Sequence, residues 1–184
     1  ASENADLSAP EAYDYVKTKM DVNNFIDYQI FELFSENIDW PANNMRCWQE
    51  GDGKWRWIFF DGDACLQWIT FYAFDNAVGE GDEIWPSNWR STLFFRRLLE
   101  NVSFREQFNN RFHELLNTAF SYATTKPIFD NAKAAIINEV QFQSDRFGFP
   151  TNMDTWNEAM GRVNWFLMKR HENLEGHLQN LLIN

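Results

Sequence analysis

Two short polar stretches carry the residues that could do chemistry: Asp39 and Asn44, five residues apart, and the pair Asp61 and Asp63 further along the chain. In phosphoryl-transfer enzymes an aspartate five residues ahead of an asparagine forms a catalytic loop. The aspartate accepts the substrate hydroxyl proton and the asparagine holds Mg²⁺. A second aspartate, delivered by a β-hairpin, completes such a site, because a hard divalent cation seeks oxygen ligands. Asp61, directly after the aromatic run Trp55 to Phe60, stands where that aspartate is needed. Each signal alone also reads as turn chemistry, since Asp and Asn hydrogen-bond their own backbone. Asp61-Gly62-Asp63 reads equally as a small calcium loop, although the twelve-residue EF-hand pattern is absent, or as the carboxylate pair of a glycosidase. Residues two apart in a tight loop seldom straddle a scissile bond, and the phosphoryl-transfer reading is the one that also employs Asn44.

These loops need rigid elements to hold them. Val22, Phe25, Ile26, Ile30, Leu33 and Phe34 fall on one helical face behind Asp21, a natural N-cap, and predict a buried helix ending near Ser35. Ser8-Ala-Pro-Glu11 has the form of a capping box and opens a shorter helix from about Pro10 to Met20. Pro41 and the surrounding asparagines make Asn37 to Asn44 a loop. Met45 to Gln49 and Lys54 to Phe60 flank Glu50-Gly-Asp-Gly53 and predict the one β-hairpin of the chain. Asp61 to Trp89 reads as irregular.

Beyond it the pattern is helical. Ser91 to Glu100 is one helix, and a second capping box, Ser103-Phe-Arg-Glu106, opens another with Phe104, Phe108, Phe112, Leu115, Leu116 and Ala119 inward. Pro127 opens a third to about Phe147, with Ile128, Ala132, Ala135, Ile136 and Val140 on its buried stripe. Gly148 and Pro150 end it, and Thr151 to Leu182 makes the last, with Trp156, Met160, Val163, Leu167, Leu174, Leu178 and Leu181 inward. The predicted fold is mainly α with one small β-hairpin: a single helical domain over 10–184, preceded by a tag or linker over 1–9.

Composition narrows the function classes. Acidic residues outnumber basic ones by 27 to 16, for a formal charge of −11, so a nucleic-acid phosphate backbone would be repelled and is not an expected partner. No stretch approaches the ~18 to 20 unbroken apolar residues of a membrane span. Cys47 and Cys65 sit in no zinc spacing and read as two buried thiols rather than a disulfide. His113, His171 and His177 accompany no nucleophile motif and read as helix-surface residues. Nine tryptophans and eighteen phenylalanines predict a large aromatic core in preference to an exposed aromatic face that binds sugar or peptide.

Three runs together resemble a known family: Asn24-Phe-Ile-Asp-Tyr28, Asn37-Ile-Asp-Trp-Pro-Ala-Asn-Asn44 and Lys54-Trp-Arg-Trp-Ile-Phe-Phe-Asp-Gly-Asp63 are similar to the core of spore-coat protein H (CotH) kinases. Leu98 to Phe108 and Leu115 to Thr118 resemble that family's later helices. The resemblance implies a protein-kinase-like C-lobe from a secreted, cell-surface or periplasmic enzyme that phosphorylates serine on protein substrates with ATP and Mg²⁺ or Mn²⁺. It matches Asp39 to the catalytic aspartate and Asp61 to the metal-binding one, with Asn44 as second ligand. The family's usual Asp-Leu-Asp is Asp-Gly-Asp here, which leaves Asp63 open as an alternative ligand. The basic nucleotide-gripping motifs of an N-terminal lobe do not precede Asp39, so this chain by itself is expected to bind nucleotide weakly and turn over little or not at all. The alternative expectation is a non-catalytic module that assembles with coat or surface proteins.

Overall fold

The computed structural model describes residues 6–69, 73–79 and 88–183, of which 177–183 as backbone only. Its centre is a helix that the sequence specifies at both ends. Asp21 Oδ1 accepts the Asn24 N–H at 3.1 Å, and α2 (Val22–Ser35) follows, after α1 (Pro10–Lys19). Phe25, Ile26, Ile30 and Leu33 of α2 are buried, and so are Gln29, Glu32 and Ser35, so the helix meets protein on nearly every side.

One side of α2 is covered by a two-stranded antiparallel hairpin, β1 (Arg46–Trp48) and β2 (Arg56–Ile58), with Arg46 opposite Ile58 and Trp48 opposite Arg56. The remaining elements are α3 (Ala73–Ala77), α4 (Trp89–Leu99), α5 (Val102–Asn117), α6 (Tyr122–Ile136), a 3₁₀ turn over Ile137–Glu139, α7 (Val140–Phe147) and α8 (Met153–Ile183). The fold is therefore mainly helical with one small hairpin, as the sequence predicts. Phe25 makes edge contacts with Trp57, Phe94 and Phe95, joining hairpin, α2 and α4 in one aromatic core. Phe104, Phe108 and Phe112 continue that core down α5.

Several local expectations are corrected by better caps nearby. Ser8 bonds Asp6, and α1 starts behind Ala9 without a side-chain cap. Asn101, not Ser103, caps α5: its Oδ1 accepts from Phe104 N while its amide donates to the Leu7 carbonyl. Asn88 and Ser91 form the capping box of α4, which begins at Trp89, and α3 falls inside the stretch expected to be irregular. Pro127 does not open a helix. Ser121 caps α6 one turn earlier, leaving Pro127 inside it. The helix expected to run unbroken to Phe147 is interrupted by the 3₁₀ turn. Ile128, Ala132, Ala135 and Ile136 face solvent, and of that stripe only Val140 is buried. Ala119 lies past the end of α5 and is exposed. Leu178, Leu181 and His177 lie outside the described side chains.

A single buried cation ties the last helix to the central one. Arg170 of α8 is fully buried; its Nε donates to the Phe34 carbonyl at 2.8 Å and its Nη2 to the Leu33 carbonyl and to Glu36 Oε1 at 2.6 Å. These carbonyls lie at the C-terminus of α2, where that of Leu33 also accepts the Glu36 N–H at 3.4 Å and the helix dipole favours positive charge. Glu36 ends the helix with φ 52°, a left-handed conformation uncommon for glutamate, and its carboxylate completes the pair. Removing one partner strands the other in a dry interior. Arg170→Met is therefore expected to cost about 3 to 5 kcal/mol by urea unfolding, with Glu36→Met/Arg170→Met recovering part of the loss. A single variant as stable as the parent would contradict this role.

Candidate functional site

Both candidate loops are fastened to α2. The hairpin is held near the start of the helix, where Asn24 acts as a substitute strand: its Oδ1 accepts Trp57 N–H at 2.6 Å and its Nδ2 donates to the Trp57 carbonyl at 3.2 Å. Trp55 exchanges backbone bonds with Lys19 and Asp21, each at 2.9 Å, and Arg56 pairs with Asp21 at 3.3 Å. From there β2 runs along the helix toward its other end. The eleven residues from Asn24 to Ser35 rise roughly 16 Å, and about five strand residues cover the same distance. The chain beyond β2 is accordingly caught at the C-terminus of α2, where Leu66 N–H donates to the Ser35 carbonyl at 2.8 Å.

The first loop is anchored from beneath. Asn37 Nδ2 donates to buried Glu32 Oε2 at 2.9 Å, and Asn37 Oδ1 accepts the Asp39 N–H at 3.1 Å. Trp40 beside it is buried. Asp39 Oδ2 accepts two amides, from Asn43 at 2.8 Å and Asn44 at 2.9 Å, and its Oδ1 makes no hydrogen bond among the described residues. The spacing of Asp39 and Asn44 thus corresponds to a direct contact.

Asn44 and Asp61 stand at the base of the hairpin. Arg46 and Ile58 close the ladder there, with Asn44 two residues before the one and Asp61 three residues after the other. Both residues have positive φ, 55° and 57°, a conformation that Asn and Asp adopt more readily than other non-glycine residues. The backbone needs these residue types here whatever their side chains do. Gly62 is fixed sterically, since a Cβ would lie 2.3 Å from Cζ of the Phe59 ring, which packs edge-on against Phe31.

Charge gathers at this point. The negative charge of Asp63 raises the Asp61 carboxyl above its ordinary range, and Asp39 from the other loop adds to the shift. Carboxylates that repel one another at an exposed spot favour a bound cation. Asn44 gives its amide N–H to Asp39, which leaves its oxygen free, so Asp61, Asp63 and Asn44 offer oxygen donors suited to Mg²⁺ or Mn²⁺. Among the described residues no three His, Cys, Asp or Glu side chains come together as a group that could hold a metal ion.

Two features escaped sequence reasoning. Beneath the loop, burial pushes the Glu32 carboxyl up to about 7 against the opposing hydrogen bond from Asn37. Its apolar helical neighbours in sequence gave no sign of a partner five residues on. On the hairpin, Trp48, Trp55, Ile58, Phe59 and Phe60 are exposed, where an inward aromatic set was expected. Cys47 is exposed as well and Cys65 half-buried, both as free thiols. His113 faces solvent, and His171 lies 3.8 Å from Glu175 and far in sequence from either loop.

A family model, CotH kinase protein, matches residues 2–174, and the chain belongs to that family. No curated protein matches it.

Glu32 gives the site a pH signature. A carboxyl raised in the folded protein contributes stability that is complete below its unfolded value and lost as pH rises through its folded one. Glu32→Gln, which keeps the neutral form, should gain on the parent progressively between about pH 4.5 and 7 in urea midpoint. A difference between the two that stays constant with pH would contradict a buried, titrating Glu32.

Proposed function

We propose that this CotH kinase family member carries the acceptor and metal loops of an atypical protein kinase, its helical body corresponding to a kinase C-lobe, acting outside the cytoplasm on a protein hydroxyl. The observation that supports the reading is contact between the two loops, with Ile38 N–H donating to the Ala64 carbonyl at 3.5 Å, while Asn44 bonds Asp39 in the first loop and Asp61 and Asp63 belong to the second. A kinase-like family makes ATP and a protein substrate the natural reactants.

In this reading Asp61 and Asn44, with Asp63 as a further donor, would hold Mg²⁺ or Mn²⁺, which when bound neutralises the β- and γ-phosphate oxygens. Asp39 does the proton chemistry. Two amides fix its Oδ2, and Oδ1 is left to accept the proton of the incoming hydroxyl. The hydroxyl oxygen forms a bond to the γ-phosphorus as the bond from that phosphorus to the β–γ bridging oxygen breaks. The electron pair of the broken bond leaves with ADP. Asn37 and Glu32 keep the Asp39 backbone from drifting, which matters because a loosely placed base loses rate steeply.

A second reading, a non-catalytic coat or surface-assembly module, is favoured by the exposed hairpin aromatics Trp48, Trp55 and Phe60. Variants separate the two. In a protein that carries the nucleotide-gripping lobe as well, Asp39→Asn should lower phosphoryl transfer to protein about 10²- to 10⁴-fold with little change in the KM for ATP. Asp61→Ala should abolish divalent-dependent ATP binding and transfer together, measured by calorimetry and by phosphate incorporation. Transfer at the parent rate in both variants would remove the kinase roles of these residues, and the absence of any nucleotide binding in the parent would favour the assembly module.

A further inference from the structure

We infer that Arg46 is a phosphate-contacting residue of this site, supplying from within the chain positive charge to the transferring phosphoryl group; this rests on the phosphoryl-transfer reading above. The need is electrostatic. Asp39, Asp61 and Asp63 all carry the sign of ATP, and charge spreads over three phosphoryl oxygens in the transition state, where preorganised cations are most effective.

The hairpin register selects the residue. Arg46 is the last paired residue of β1 on the side of Asn44, two residues away, and Ile58 stands opposite it. The Arg46 guanidinium lies 4.7 Å from the centroid of the Phe60 ring, and Phe60 immediately precedes Asp61. The side chain therefore leans toward the base of the hairpin rather than toward its tip.

Its charge is also unspent. Arg56 across the hairpin pairs with Asp21, and Arg111 and Arg170 are engaged by Asp27 and Glu36. Arg46 is exposed and has no carboxylate within ion-pair distance among the described residues, in a chain where acidic side chains predominate. A ring face holds a guanidinium in position without neutralising it, and a planar fork then presents several N–H groups to phosphate oxygens. An exposed arginine held by stacking on the residue next to Asp61 is suited to an arriving anion.

The test uses the intact protein, with a nucleotide-gripping lobe joined to this chain, and Mn²⁺, titrated calorimetrically with ATP and, in parallel, with inorganic triphosphate, which lacks the nucleoside. Arg46→Gln should weaken both by about tenfold or more and lower phosphoryl transfer about 10²-fold. Arg46→Lys should restore part of the loss, Phe60→Leu should fall between, and Arg56→Gln should match the parent. All three positions are exposed, so unchanged circular dichroism is expected throughout. Parent-like binding by Arg46→Gln while Asp61→Ala loses it would overturn the role of Arg46 and leave the kinase reading standing. Equal losses in Arg46→Gln and Arg56→Gln would overturn it too, as a general field effect. Loss in Arg46→Gln with parent-like binding in Asp61→Ala would keep Arg46 as a phosphate contact and sink the metal assignment. A parent that binds neither probe would overturn both.

Discussion

The C-terminus of α2 is where this fold is most constrained. The last carbonyls there take partners from beyond the helix, and the chain must then turn sharply into the loop that carries Asp39. Arg170 answers the first problem from the far end of the sequence, bonding two of those carbonyls, and Glu36 answers the charge that Arg170 brings. The exchange is costly in a dry interior unless every member is placed, so α2 and α8 are held in one relative position. The loop after Glu36 inherits that precision.

Everything proposed for function is built on the same helix end. Glu32, a helical turn back from Glu36, reaches Asn37, and Asn37 reaches the Asp39 backbone. Ser35 receives the chain that follows Asp61 and Asp63. Two loops far apart in sequence are thus referred to one rigid body, with the hairpin as a spacer pinned at Asn24. Loops serve chemistry when a scaffold fixes them, and here the scaffold is a buried helix with both ends tied down. The exposed face of the hairpin, with Arg46 stacked on Phe60, continues outward from the same place.

Much of this was legible in the residues. The apolar face of α2, its Asp21 cap and the glycine-bearing hairpin turn follow from local rules, and the five-residue step from Asp39 to Asn44 became a hydrogen bond. What escaped depended on competition or distance. Ser8 and Ser103 match a capping motif, but Asn101 makes a stronger cap and also holds the Leu7 carbonyl, a contact that no local pattern encodes. Pro127 signals a helix start only when no better cap precedes it, and Ser121 does. The apolar period of α6 is real, yet Ile128 and Ile136 remain exposed because periodicity defines a face without saying that anything packs on it. Arg170 pairing with Glu36 is invisible to any window, since its partners lie more than a hundred residues away.

The proposed function requires that Asn44, Asp61 and Asp63 form one divalent-cation site facing Asp39. Paramagnetic broadening by Mn²⁺ in amide NMR spectra of the chain tests it directly. The account predicts that sub-stoichiometric Mn²⁺ first broadens residues of both loops, 39–44 and 61–63, at the same concentration, and that Asp61→Ala removes the effect from both. Broadening confined to one loop, or first seen on the acidic helix surfaces elsewhere, would contradict it.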